Sequence, residues 1–223
     1  MGRFEGQGSN EYDQRIRRLI PGYALLHELS QAQLLTRLPQ EAEILVVGAG
    51  TGSEILLLAA QRPAWRFIAV DLSADMLAIA RQRFIEAGIV DRVQLHRGEL
   101  ASLPFTTPAD AALLLLVLHF IPGFADKQAL TSAIAQRLKH GAPLLTADLM
   151  RPADPLERTI HGSASALLGL TPDGVATMLA RLESDFYPLD TAEQRMLFEN
   201  AGFIDAVPYF QALSVQGWVA LRR

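Results

Sequence analysis

Three glycines at alternate positions, Gly48, Gly50 and Gly52, constrain this chain more than any other feature. They follow directly on the apolar run ILVV (44–47) and precede ILLLAA (55–60), so the segment reads as strand, tight turn, helix. Unbroken apolar runs of this kind mark strands buried on both faces of a parallel sheet. Glycine admits positive φ at the turn and lets a ligand come close to the backbone. The helix beyond it presents unpaired N–H groups and the positive end of its dipole. Roughly twenty residues on, a second apolar run, FIAV (67–70), ends in Asp71, an acid placed to accept from ribose hydroxyls. The combination points to a nucleoside-cofactor site.

The glycine spacing narrows the cofactor. A dinucleotide turn reads G-x-G-x-x-G/A, with a third glycine for close helix–strand packing. Here Ser53 stands at that place, which disfavours an NAD-type oxidoreductase. GAGTG (48–52) resembles the first motif of class I S-adenosylmethionine (SAM) methyltransferases. VDLSADML (70–77), RGELASLPF (97–105) and DAALLLLVLH (110–119) are similar to the second, third and fourth motifs, and the resemblance runs over residues 12–222. It implies SAM as cofactor and S-adenosylhomocysteine (SAH) as its product. The contact set it implies is Gly48, Ala49 and Gly50 at the turn, Asp71 and Leu72 at the ribose, and Met76 beside the adenine. Glu99 meets the adenine amine, with Gly98 and Leu100 beside it as cofactor contacts, and Leu116, within the fourth strand, completes the set. The family usually carries an acid two residues before the first glycine, where this chain has Val46. Glu54 is expected to take over part of that acid's role at the turn and the methionine end.

Residues 11–38 read as helical, broken at Pro21-Gly22, with Ile16, Leu19, Ile20, Leu25, Leu26 and Leu29 at helical spacing. YDQR (12–15) and IPGY (20–23) resemble the N-terminal cap of small SAM methyltransferases, including the carboxy-SAM branch. That likeness implies Tyr12, Arg17 and Tyr23 as cofactor or substrate contacts. Strands over 44–48, 66–71, 92–97, 113–118 and 143–149 alternate with helices over 53–61, 73–87 and 126–139, the last closed by His140-Gly141. Such alternation predicts a doubly wound, Rossmann-like α/β sheet with right-handed crossovers. Segment 151–189, with Pro152, Pro155, Pro172 and Pro188, breaks the alternation. The resemblance makes it a helical insertion over the acceptor, with helices near 156–168 and 173–182. A helix over 191–201, N-capped by Thr191, leads to strands 203–210 and 214–221, and the resemblance implies that this hairpin closes a seven-stranded, mostly parallel sheet with an antiparallel last strand. The whole chain, 1–223, is expected to be a single domain.

Composition excludes several classes. The chain has 223 residues, no cysteine, 50% hydrophobic residues and a net charge of −4. Disulfides and thiolate metal sites are thereby excluded, and export is not indicated. No apolar run approaches the ~20 residues that span a bilayer, and the polar start MGRFEG carries no signal region, so a cytoplasmic enzyme is expected. The acidic balance disfavours nucleic acid; Arg15, Arg17 and Arg18 read as a solvated helix face. The five histidines lie on different elements without metal-ligand spacing. Expected partners are a small-molecule acceptor and at most a second copy of the chain. Methyl transfer needs an acceptor held close, in line and dry, with a base only where a proton must leave. His119 is the candidate base and Asp148 a group orienting the acceptor, both at strand exits; His161 and Tyr187 are candidate acceptor contacts in the insertion. Two other functions remain open: a carboxy-SAM synthase-like or tRNA-modification-related enzyme, and a SAM-binding protein without transfer activity.

Overall fold

The computed structural model describes residues 12–104 and 107–223, so the polar start of the chain, Glu11 and Phe105 lie outside the described residues. Eight helices are present among them: α1 Tyr12–Leu19, α2 Tyr23–Arg37, α3 Ser53–Gln61, α4 Ala74–Glu86, α5 Phe124–Ala135, α6 Pro155–Leu167, α7 Pro172–Ser184 and α8 Thr191–Asn200. The strands are β1 Glu43–Val47, β2 Arg66–Asp71, β3 Val93–Arg97, β4 Ala111–Leu115, β5 Pro143–Leu149, β6 Phe203–Ala212 and β7 Val215–Arg222. They form one sheet in the order β3-β2-β1-β4-β5-β7-β6. Pairing is parallel from β3 through β5, β7 runs antiparallel to β5, and β6 closes the edge against β7.

Both sheet faces are covered, which is why the strands read as apolar runs. Ile44 and Val46 of β1 enter the core with Ile55, Leu58 and Phe84, whereas Leu45 and Val47 enter the opposite core with Ile134, Leu197 and Phe198. Val46 therefore fills the first core, at the position where the resembling family usually carries an acid.

Several boundaries differ from the sequence reading. β4 begins at Ala111, because Asp110 accepts from the Glu43 amide at 2.9 Å and Ala111 and Ala112 pair with Ile44 and Leu45. It ends at Leu115, where Leu116 turns to φ 59° and Leu118–Phe120 coil into a 3-10 turn. Helix α5 spans 124–135, not 126–139: Arg137 and Lys139 exchange backbone bonds with Ala109 at 2.7 and 3.0 Å, a non-local pairing that draws the chain out of the helix. His140-Gly141 consequently lies in the turn into β5. Helix α8 is capped by Asp190 in a capping box with Glu193, and Thr191 is its first residue.

The two segments added to the sheet meet each other. Helices α1 and α2 break over 20–22, with Gly22 at φ 75°. In the insertion, α6 and α7 pack together through Gly162 against Val175 and Leu179. His161 is buried on α6, and its Nε2 donates to the Leu19 carbonyl at the end of α1 at 2.8 Å.

Candidate active site

The glycine turn between β1 and α3 is held by β2. The amides of Gly48 and Ala49 donate to the Val70 carbonyl at 2.8 and 3.1 Å. Its glycines serve different ends. A Cβ at Gly48 would stand 2.3 Å from Val117, and one at Gly52 would stand 2.4 Å from Phe84, so both positions are closed by packing. Gly50, at φ 52°, has no such neighbour within contact range, the nearest atom lying 4.0 Å away. Its open side is where a ligand can reach the backbone. Helix α3 starts at this turn with Gly52 at its N-cap and no side-chain cap from that residue.

Asp71, at the tip of β2, organises the next side. Its carboxylate accepts from the Gly50 amide and from the Ser73 amide, each at 2.8 Å. Ser73 in turn caps α4 by accepting from the Met76 amide at 3.2 Å. Leu72 beside it is 69% exposed, a large apolar side chain set out at a polar turn, while Met76 is buried. After β3, Gly98 adopts φ 145°, Glu99 is exposed and Leu100 packs into the core.

A third group closes over the turn from α1. Asp13 accepts from Thr51 Oγ1 at 2.7 Å and Ser53 Oγ at 3.3 Å, and pairs with Arg83 of α4 at 2.7 Å. No local pattern marks this residue, and the sequence reading did not single it out. Behind it lie Tyr12, Tyr23, His27 and Glu54. Tyr23 is buried, with the Arg17 guanidinium 5.6 Å from its ring centre and the His27 ring edge-on at 4.3 Å. Burial, and then the Glu54 charge, push both tyrosine hydroxyls well above the ordinary phenol range. Burial also raises Glu54, partly offset by His27.

The fourth group stands where β4 and β5 end. Asp148 is buried and accepts from the amides of Leu118 at 2.6 Å, His119 at 3.1 Å and Leu149 at 2.9 Å. The same carboxylate takes the His119 Nδ1–H, which leaves Nε2 as the acceptor nitrogen of the imidazole. Phe120 and Phe186 flank that ring, with centroids 4.1 and 4.9 Å away. The turn carrying His119 is held by Lys127, which is buried and donates to the carbonyls of Leu118, Ile121 and Tyr187. Burial lowers the Lys127 pKa, opposed by Asp148.

Residues 45–144 match the family described as a methyltransferase domain. A carboxy-S-adenosyl-L-methionine synthase from Dichelobacter nodosus is 28% identical over 221 residues, 99% of this chain and 92% of that protein. A demethylmenaquinone methyltransferase from Lactiplantibacillus plantarum is 31% identical over 136 residues, 60% of this chain and 56% of that protein. Magnesium protoporphyrin IX methyltransferase from Synechocystis PCC 6803, solved with bound SAH, has the same fold, with a TM-score of 0.72 at 17% identity over 99% of this chain and 97% of that one. The family match, these relatives and the shared fold support a class I SAM-dependent methyltransferase.

The cofactor of this methyltransferase is SAM. The open side of Gly50 and the exposed Leu72 next to Asp71 fit a nucleoside lying against the turn. Of the residues singled out in the sequence, Gly48, Ala49, Gly50, Asp71 and Leu72 meet at one turn, and His119 and Asp148 meet each other. The Asp148 carboxylate is engaged by the His119 ring and three backbone amides. His161 binds the end of α1, and Tyr187 engages through its backbone, its amide donating to the His119 carbonyl at 2.8 Å. No helix among the described residues is long and apolar enough to cross a membrane.

Proposed function

We propose that this methyltransferase methylates a small apolar or aromatic acceptor carrying a protic oxygen or nitrogen, with His119 as base and Asp148 as its positioning residue. The observation that carries the reading is the Asp148 carboxylate, which collects three backbone amides and the His119 Nδ1–H. A carboxylate so anchored holds the imidazole in one tautomer, with Nε2 able to take a proton. SAM, when bound, supplies a methyl on a sulfonium centre. Gly48, Ala49 and Gly50 would hold the cofactor's backbone-facing side, Asp71 and Leu72 its ribose, and Glu99 its adenine, with Tyr12, Tyr23 and Arg17 toward the methionine end. Phe120 and Phe186 give the His119 surroundings flat apolar walls that suit an aromatic acceptor and exclude water. The acidic net charge argues for a small acceptor over nucleic acid.

The full-length likeness to carboxy-SAM synthases favours one second reading, handling of a carboxylated cofactor. That chemistry needs a cation beside the methyl position. Lys127 is committed to three carbonyls, whereas Arg17 is exposed above Tyr23. Mass spectrometry of the ligand that co-purifies with the protein separates the two. SAM or SAH supports methyl transfer, and a sulfonium one carboxylate heavier supports the second reading. Incubation with methyl-labelled SAM and fractionated small metabolites then identifies the acceptor, and labelling that persists undiminished in His119→Gln would remove His119 from the reaction.

A further inference from the structure

We propose that Lys127 is a positioning residue: its ammonium group ties the far end of the insertion to the turn that carries His119, so the acceptor's cover and the base are set in place together. This rests on the reading of His119 as base and deepens it.

Lys127 projects from the first turn of α5 and is 1% exposed, a burial that lysine rarely tolerates without full compensation. Its Nζ donates to the carbonyls of Leu118, Ile121 at 2.6 Å and Tyr187 at 2.8 Å. Three acceptors call for three N–H donors, which an ammonium group has and a neutral amine lacks. Burial lowers the Lys127 pKa, while Asp148 and Glu193 oppose the shift. Lys127, Asp148 and His119 line one cavity, so the cation and the carboxylate balance each other within one buried site.

The three carbonyls belong to two separate pieces of chain. Leu118 opens the 3-10 turn Leu118–Phe120 after β4 and Ile121 follows it, whereas Tyr187 stands on the irregular stretch beyond α7 that leaves the insertion. Backbone outside helix and sheet needs partners from elsewhere. Tyr187 finds both here: its amide donates to the His119 carbonyl at 2.8 Å, and its carbonyl accepts from Lys127. Its neighbour Phe186 is thereby laid against the imidazole, with ring centroids 4.9 Å apart and the Arg181 guanidinium of α7 5.8 Å from the Phe186 ring centre. From β5, the Asp148 carboxylate holds the Nδ1–H of the same ring. An apolar residue at 127 would fill the space but leave three carbonyls unpaired and release the exit leg from the turn.

The test compares wild type, Lys127→Met, His119→Gln and the double variant. In Lys127→Met, hydrogen exchange should show residues 118–120 and the Tyr187 amide losing protection together, while residues 48–52 keep theirs. Transfer from methyl-labelled SAM to fractionated small metabolites gives the rate. Lys127→Met should lower it about tenfold to a hundredfold, the cost of an ångström-scale misplacement, with the calorimetric SAH affinity unchanged. Added to His119→Gln, the same change should lower the rate no further, because a residue that acts through the base then has nothing to act on. Lys127→Gln keeps two donors and serves the same comparison where the methionine variant does not fold. Unchanged rates in both Lys127 variants, a loss of SAH affinity that matches the loss of rate, or losses that multiply with that of His119→Gln would overturn the inference and leave the base in place. Undiminished transfer in His119→Gln would overturn both.

Discussion

The Asp13 carboxylate lies 2.7 Å from the Arg83 guanidinium while its other oxygen accepts from Thr51 Oγ1, also at 2.7 Å. One side chain thus ties the first helix to the glycine turn and to the helix after β2. His161 continues the connection, joining the end of α1 to the insertion through the Leu19 carbonyl. We propose that α1 and the insertion close together over cofactor and acceptor.

Asp13→Ala tests that linkage. Both partners are about a third exposed, so the ion pair contributes ~1 kcal/mol or less to stability. The melting temperature should therefore shift by only a few degrees. SAH binding should weaken about threefold to tenfold, and amides of α1 should lose hydrogen-exchange protection. In wild type, SAH should protect both α1 and residues 151–189. Protection confined to residues 48–52 would rule out the shared cover.

Asp71→Ala should weaken SAH about tenfold to a hundredfold, the loss of charge-assisted bonds to ribose. The structure adds a second effect, because the same carboxylate holds the Gly50 and Ser73 amides. A modest drop in melting temperature should accompany the lost affinity. An unchanged dissociation constant would place Asp71 in the turn alone.

His119→Gln and Asp148→Asn should separate catalysis from support. Replacing the base should lower kcat by about a hundredfold or more with SAH affinity unchanged. Asp148→Asn keeps the side chain's size but weakens its hold on three amides and the imidazole. It should lower kcat and cost about 1–3 kcal/mol of stability as well. Thermal melts beside single-turnover rates read both. Full activity in His119→Gln would show that the acceptor needs no base from this residue.

Glu54 also predicts a pH dependence of stability. Burial raises its folded pKa above the ordinary carboxylate value, so folding takes up a proton between the two. Its contribution therefore favours the fold at low pH, declines as pH rises from the unfolded to the folded pKa, and is level above that. Other carboxylates titrate in the same window, so the readout is the difference between wild type and Glu54→Gln in denaturant midpoints. Relative to the variant, wild type should lose stability as pH rises. A difference that stays flat would show that Glu54 is not held in a desolvating setting.

The sheet and its cofactor edge were legible because their determinants are local. Gly48, Gly50 and Gly52 punctuate an apolar run, Ser73 caps α4 as its residue type suggests, and Asp71 ends its strand. Boundaries failed where distant segments decide them. The leucine run of β4 has no internal period to mark its end, and α5 stops early because Ala109 pairs with Arg137 and Lys139. The same reason hid Asp13, whose partners lie at positions 51, 53 and 83. His119 and Asp148 could each be picked as the polar residue at a strand exit. Their partnership depends on β4 and β5 being neighbours, which single-strand patterns do not encode. His161 and Tyr187 were picked for residue type; the former joins α6 to the end of α1 through the Leu19 carbonyl, and the backbone of the latter bonds to Lys127.

Calorimetric titration with SAM, SAH and NAD tests the central claim most directly. The glycine spacing, the open side of Gly50 and the Asp71 carboxylate predict saturable heat with SAM and with SAH, and none with NAD. Heat with NAD and none with either SAM species would contradict it.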